Sequence, residues 1–163
     1  MRQLISDTLK ESLSLQFGHE VLNSHIYLYI ANFLHGKGLS NLAKHFEGQY
    51  REEQSHAMTI YKLLTDLGAT FDIPSIPQCD MVINSIKDIT VAYLDREILT
   101  TESLNDLKLL AQEDDVNPVV EERIRQMILD QQHEYEEATD MFDKAESLTE
   151  WWQVSLWDLS LGG

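Results

Sequence analysis

The chain has 163 residues, 43% of them hydrophobic, which is enough for one domain with a single apolar core. Its 28 acidic and 12 basic residues give a formal charge of -16, which repels nucleic-acid phosphates and anionic membranes and attracts cations. The single cysteine, Cys79, cannot form an internal disulfide, and the opening residues MRQLISDTLKES lack the pattern of a secretory signal. We therefore expect a cytoplasmic protein that binds neither nucleic acid nor membranes.

Four long segments carry apolar residues at three-, four- and seven-residue spacings, the periodicity of an amphipathic helix. They cover roughly residues 3–34, 39–67 and 85–113 and the stretch after Pro118, and clusters containing glycine or proline separate them at 35–38, 67–80 and 114–118. Gly68 is placed to end the second helix, and Ser85 and Asp88 to cap the third. Strand alternation is absent from the sequence, which therefore predicts an all-α protein.

The lengths of the connections predict how these helices are arranged. The first and third connections are short, so helices one and two, and helices three and four, should be antiparallel neighbours. The connection between helices two and three is long enough to run along the bundle. We therefore predict a four-helix bundle over residues 1–148 with one long crossover. The apolar residues EWWQVSLWDLSL predict one more short helix within 149–163, as part of the same domain.

Each long helix places a polar residue on its apolar face, near the middle of its length. Taken alone, such a glutamate is usually solvated at the edge of the stripe, and Glu-x-x-His is a common surface pair. Four coincidences at matching depth are much less probable by chance. The four residues are Glu20, Glu53, Glu97 and Gln131, with His56 one turn after Glu53 and Glu134 one turn after Gln131.

Buried carboxylates need a positive partner, because an unpaired buried charge costs several kcal/mol or takes up a proton. The apolar faces carry no Lys or Arg, so the sequence predicts that cations neutralise them. Carboxylate oxygens with one imidazole favour iron or manganese over zinc. Tyr27 shares the face of Glu20 and is as consistent with a core aromatic as with a hydrogen-bond donor to a metal-bound carboxylate.

In their order and spacing, the segments HEVLNSHIY (19–27), YREEQSHA (50–57), YLDRE (93–97) and LDQQHE (129–134) resemble the non-haem ferritins of bacteria. The resemblance covers nearly the whole chain and implies a ferritin-like bundle. It also implies iron storage: Fe(II) is oxidised by dioxygen or peroxide at a diiron ferroxidase centre, and ferric mineral collects inside a cage of twenty-four chains. A short fifth helix lines the fourfold axes of such cages.

The resemblance also implies roles for individual residues. Glu20 is similar to the first-helix iron ligand, Tyr27 to the tyrosine beside the diiron centre, Glu53 to the bridging glutamate and His56 to the histidine ligand. Glu97 is similar to the third-helix ligand of the second iron, and Gln131 to the glutamine that lines this site. Glu52, Asp130 and Glu134 match the carboxylates that lead toward the cage interior and sometimes hold a third iron. His133 stands where many members have a further carboxylate, so a third iron site is less strongly implied than the first two.

Alternatives remain for the fourth helix and for the activity. Gln132 could face inward instead of Gln131, or Asp130 and His133 could imitate the second ligand pair of bacterioferritins and rubrerythrin-like proteins, but both registers turn an arginine toward the core. Gln54 replaces the methionine through which bacterioferritins bind haem, so no haem is expected. The alternative function is a rubrerythrin-like or bacterioferritin-like diiron oxidoreductase that reduces peroxide without large iron storage.

Overall fold

The computed structural model describes residues 1–114 and 117–162, which form five α-helices. The helices are α1 (Asp7–Gly36), α2 (Ser40–Asp66), α3 (Ile86–Glu113), α4 (Pro118–Ala145) and α5 (Trp151–Leu161). The described residues contain no strand, so the predicted all-α bundle with a short fifth helix is confirmed. The predicted break at 114–118 includes residues 115 and 116, which lie outside the described part of the chain. Within that part, none of the helices has the length and apolarity needed to cross a bilayer.

Local capping decides where the helices begin. The Ser6 hydroxyl accepts a hydrogen bond from the first turn of α1, which therefore starts four residues after the expected position. Ser85 and Asp88 form the capping box predicted for α3. Pro118 occupies the first turn of α4, where its missing N–H group leaves no donor unpaired, and the Asn117 side chain caps that turn.

The long connection after α2 runs beside α1. It begins at a turn in which Gly68 has a φ of +70°, a conformation that other residues rarely adopt. Phe71 then packs edge-on against Phe17 with ring centroids 5.3 Å apart, and the carbonyl of Met81 accepts a hydrogen bond of 2.7 Å from the Tyr29 hydroxyl. The connection thus follows α1 from one end of the bundle toward the other, which confirms the predicted crossover.

The interior consists of two apolar clusters separated by a polar layer. One cluster contains Leu13 and Ile60, and the other contains Phe46 and Tyr93. Each buried aliphatic or aromatic side chain stabilises the fold by roughly 1.5 to 3 kcal/mol, so the two clusters can offset a costly layer between them. The buried polar residues at mid-length of the four helices are Gln16, Glu20, Asn23, Ser24, Gln49, Glu53, Glu97, Thr100, Gln131 and Glu134.

α5 docks on the first turn of α2. The residue that precedes α2 is Leu39, whose side chain cannot accept a hydrogen bond. The Asp158 carboxylate of α5 takes this role and accepts a bond of 2.7 Å from the backbone N–H of Leu42. A negative charge is favoured there because the first N–H groups of a helix are unpaired and carry partial positive charge. The opposite face of α5 leaves three apolar residues exposed, Trp152, Leu156 and Leu159, and Leu161 is exposed at the end of the helix.

Replacing Asp158 with Ala should release α5, because it removes the side chain that caps α2. The free energy of unfolding should fall by about 1 to 2 kcal/mol. All three tryptophans of the chain lie in α5, so their fluorescence reports its docking and should shift to longer wavelength. Asp158→Asn retains an acceptor and should keep most of the stability, and Asp140→Ala, which removes an exposed carboxylate, is the control. Unchanged emission and urea midpoint in Asp158→Ala would refute this account of docking.

Candidate metal centre

Glu53 of α2 lies fully buried at the centre of the polar layer. It belongs to two clusters of side chains, one formed with Glu20 and His56 and the other with Glu97 and Glu134. Within each cluster, one potential ligand atom per residue lies within 4.8 Å of the others. Glu53 therefore stands between two neighbouring positions, each of which could hold a cation, and the clusters draw on all four long helices.

The His56 imidazole faces three carboxylates. Its Nδ1 atom lies 3.8 Å from Oε2 of Glu20, 3.9 Å from Oε2 of Glu53 and 3.7 Å from Oε2 of Glu134. Burial favours the neutral ring, but the hydrogen bond and negative charge of Glu20 outweigh burial and raise the pKa of His56. In its neutral form the same nitrogen is a ligand for a divalent metal.

Glu97 is oriented from both sides. The Tyr27 hydroxyl donates a hydrogen bond of 2.5 Å to Oε1, and the Gln131 amide donates one of 2.6 Å to Oε2. Each oxygen keeps a second lone pair that can bind a cation. Burial, together with the charges of Glu97 and Glu53, raises the pKa of Tyr27, so its hydroxyl remains protonated and able to donate.

The fourth helix adopts the register that its apolar pattern favours. Gln131 is 2% exposed and points at Glu97, while Gln132 is exposed and bonds to Glu136 on the surface of the same helix. Asp130 and His133 are exposed as well, so they form no second inward Asp-x-x-His pair.

Several buried carboxylate oxygens have no hydrogen-bond partner within the described part of the chain. They are Oε2 of Glu20, Oε1 of Glu53 and both oxygens of Glu134. Such atoms are rare in folded proteins, because burial without a partner removes the hydration that stabilises a polar group. Unpaired carboxylate oxygens beside one imidazole are the donor set of a hard or intermediate divalent cation. These residues therefore fit a pair of such ions, and iron and manganese suit them best.

The carboxyl groups share their protons unevenly. Burial, followed by the neighbouring Glu20, raises the pKa of Glu53, and burial also raises the pKa of Glu97 and brings that of Glu134 to about 10. Burial acts on Glu20 too, but the adjoining Glu53 carboxyl group, the His56 imidazole and the hydrogen bond from Gln16 prevail and lower its pKa to about 2. At neutral pH the centre holds protons that a cation would displace.

Two of the carboxylates that the resemblance places on a path toward the cage interior lie at the edge of the centre. Glu52 is exposed, and its carboxyl group adjoins that of Glu134. Asp130 is exposed and lines a cavity of about 40 Å³ together with Glu20, His56 and Gln131. Neither belongs to the two clusters around Glu53, so a third metal position at these residues stays a prediction.

Sequence reasoning missed a group of polar residues between α1 and α3. Asn23 and Thr100 are buried, and His19 and Arg96 are half-buried beside them. Arg96 does not lie on the apolar face of α3, but its long side chain reaches the buried layer, where Nε donates a hydrogen bond of 2.6 Å to Asn23. Helical spacing could have revealed part of this group, since Asn23 and Thr100 each lie three residues after a candidate ligand.

Comparisons with known proteins identify the family. The profile of the ferritin-like domain matches residues 10–148, so the chain belongs to the ferritin family. It is 35% identical over 100 residues to Ferritin BfrB of Mycolicibacterium smegmatis, a match that spans 61% of this chain and 55% of that protein. It is 26% identical over 111 residues to the bacterial non-heme ferritin of Staphylococcus aureus, covering 68% of this chain and 67% of that one.

Solved structures agree on the fold. The open pore ferritin of Archaeoglobus fulgidus superposes with a TM-score of 0.89 at 20% identity, covering 97% of this chain and 96% of that one. Chlorobium tepidum ferritin gives a TM-score of 0.82 at 23% identity over 86% of each chain. At these identities the likeness establishes the ferritin-like bundle.

Metal binding should release protons, because burial raises the pKa values of Glu53, Glu97 and Glu134, that of Glu134 to about 10, and a cation displaces the protons that these groups hold. Calorimetric titration with Mn(II) at pH 7, repeated in buffers of different ionisation enthalpy, measures the number released. Because these pKa values are raised, affinity should increase as the pH rises from 6 toward 8. Glu134→Gln should lower the proton count, whereas Glu102→Gln, an exposed position on α3, should not. Binding that is independent of buffer and pH would contradict this protonation pattern.

Proposed function

We propose that this ferritin-family chain oxidises Fe(II) to Fe(III) at the Glu53 centre, and that a shell of its copies stores the product as ferric mineral. The observation that carries the proposal is the buried Glu53 carboxylate. It belongs to both clusters that could hold a cation, and it adjoins carboxylate oxygens that have no hydrogen-bond partner among the described residues. Two Fe(II) ions fit this arrangement as substrate. Glu20 and His56 would complete one position, and Glu97 and Glu134 the other.

The electron balance follows from the presence of two iron ions. Each Fe(II) gives up one electron, and the pair reduces dioxygen with two protons to hydrogen peroxide, or hydrogen peroxide with two protons to water. Carboxylate oxygens favour Fe(III) over Fe(II), because electrostatic attraction grows with the charge of the cation. The anionic donor set therefore makes loss of the electron easier. The protons displaced from Glu53 and Glu134 lie where the reduced oxidant needs them.

The neutral residues of the centre have a complementary role. Tyr27 and Gln131 hold Glu97 by donating to its two oxygens, and neither adds negative charge. An amide in place of a further carboxylate makes the second position less anionic, so the Fe(III) product is bound less tightly than a fully acidic site would bind it. Release would then proceed past Glu52 and Asp130, at the edge of the centre.

Storage requires a container, which one bundle of this size cannot provide. The face of α5 formed by Trp152, Leu156 and Leu159 is exposed and apolar, and contact with other copies in a twenty-four-chain shell would cover it. The formal charge of -16 would concentrate Fe(II) around such a shell. A particle of one or two chains in solution would rule out mineral storage and leave the iron chemistry to stand alone, as in a peroxide-reducing diiron protein.

Glu53→Ala should abolish rapid iron oxidation, because it removes the carboxylate that both clusters share. With Fe(II) added in air, near-ultraviolet absorbance of Fe(III) should appear at least about 100-fold more slowly than in the wild type, since even the outer partners of metal ligands are worth 10- to 100-fold. Glu102→Ala removes an exposed glutamate and should oxidise iron at the wild-type rate.

Two results would overturn the proposed ferroxidase activity. One is a wild-type protein that oxidises Fe(II) no faster than buffer does. The other is a Glu53→Ala variant that keeps the wild-type rate. If oxidation stops after two irons per chain and no mineral forms on further additions, the peroxide-reducing alternative replaces storage.

A further inference from the structure

Asn23 connects the surface between α1 and α3 to the centre of the polar layer. It is fully buried on α1, and its amide uses all of its polar atoms. Oδ1 accepts a hydrogen bond of 2.6 Å from Nε of Arg96. Nδ2 donates to Oγ1 of Thr100 at 3.0 Å and to Oε2 of Glu53 at 3.4 Å. The last contact is long, so it acts as a directional restraint on the Glu53 carboxylate rather than as a strong bond.

The orientation of the Asn23 amide is fixed by chemistry. Arg96 is only a donor, so the atom that faces its Nε must be the amide oxygen, and the amide N–H groups must then point at Thr100 and Glu53. A reversed amide would place N–H groups against the guanidinium and an oxygen against the carboxylate, and both contacts would be unfavourable.

His19 completes the network. Its Nδ1 lies 3.0 Å from Nη2 of Arg96, again a donor only, so Nδ1 must accept and Nε2 must carry the proton. Nε2–H then donates to Oγ1 of Thr100 at 2.6 Å, and the Thr100 hydroxyl donates to the backbone carbonyl of Arg96 at 2.9 Å. Nδ2 of Asn23 also lies 3.3 Å from Nε2 of His19, but both nitrogens carry protons in this assignment, so that contact is not a hydrogen bond. The four side chains thus form a network in which the direction of each bond named above is determined.

The network distinguishes the two oxygens of Glu53. Oε2 receives the Asn23 amide and lies 3.9 Å from Nδ1 of His56, so it belongs to the position shared with Glu20 and His56. Oε1 has no hydrogen-bond partner among the described residues, so it is available to the position shared with Glu97 and Glu134. A Glu53 carboxylate that rotated freely about χ3 would not keep one oxygen at each metal position, because the preference of this torsion is broad and shallow.

We propose that Asn23, held by Arg96 and Thr100, is a positioning residue that orients the Glu53 carboxylate so that one oxygen serves each of two metal ions. The proposal rests on the proposed function, since it concerns the same centre. The network contacts Glu53, which both metal positions share, and it contacts neither metal position directly. Its effect should therefore be largest on the binding of two ions together, and smaller on the binding of the first.

Co(II) binding to the full-length protein under anaerobic conditions tests this proposal, because Co(II) absorbs visible light according to its coordination. The wild type should bind two Co(II) per chain at the centre. Asn23→Ala and Arg96→Met should weaken binding of the second ion about 10-fold, as is typical for outer partners of metal ligands, and should change the visible bands. Arg125→Met removes the same charge from an exposed arginine that pairs with the exposed Glu122, and it should match the wild type.

A second pair of variants covers the case in which Asn23→Ala fails to fold. Thr100→Val keeps the volume and removes the hydroxyl that accepts from Asn23 and His19, so it should also weaken the second Co(II). Thr100→Ser restores the hydroxyl and should restore the affinity and the visible spectrum. A purely structural network would lower the melting temperature of Thr100→Val and leave Co(II) binding unchanged.

The outcomes separate the two proposals. If the wild type and Glu53→Ala bind Co(II) alike, the proposed metal centre at Glu53 is refuted, and the positioning role of Asn23 is refuted as well. If the wild type binds two ions, Glu53→Ala does not, and both Arg96→Met and Thr100→Val match Arg125→Met in affinity and spectrum, the positioning role is overturned while the centre stands.

Discussion

The burial of the Glu53 carboxylate is the constraint on which the rest of the structure depends. A carboxyl group with no exposed surface must be protonated or paired, and three further glutamates surround this one in the same layer. The layer interrupts the core, so each end of the bundle needs its own apolar cluster, and these clusters hold the four helices around it. The stability of the fold therefore comes from the two ends, and the layer between them is free to serve chemistry.

Protons and cations compete for the same oxygens in this layer. Burial raises the pKa values of Glu53 and Glu134 and so favours their protonated forms, whereas the neighbouring Glu53 and His56 groups and the hydrogen bond from Gln16 lower the pKa of Glu20. Because ligands must lose their protons to bind a metal, a cation that enters such a site displaces protons from it. Donors fixed on all sides, such as Tyr27 and Gln131 at Glu97, keep the ligand geometry similar in both states.

Periodicity was sufficient to predict the helices, and the shared depth of Glu20, Glu53, Glu97 and Gln131 was sufficient to predict which residues meet. Both depend on local spacing, which a helix converts directly into a face. Features that depend on reach or on distant contacts were missed. Arg96 lies about 100° around α3 from Glu97, and only its long side chain brings Nε to Asn23. Asp158 caps a helix that begins more than one hundred residues earlier, a contact that no local pattern indicates.

The position of iron in the crystal tests the central claim most directly. Crystals soaked anaerobically with Fe(II) and measured on both sides of the iron absorption edge would locate each ion by anomalous scattering. The account predicts two iron peaks inside the bundle, about 3.5 to 4 Å apart as in other two-metal sites, with Glu53 between them. Iron found only on exposed carboxylates, or an interior without any iron peak, would contradict it.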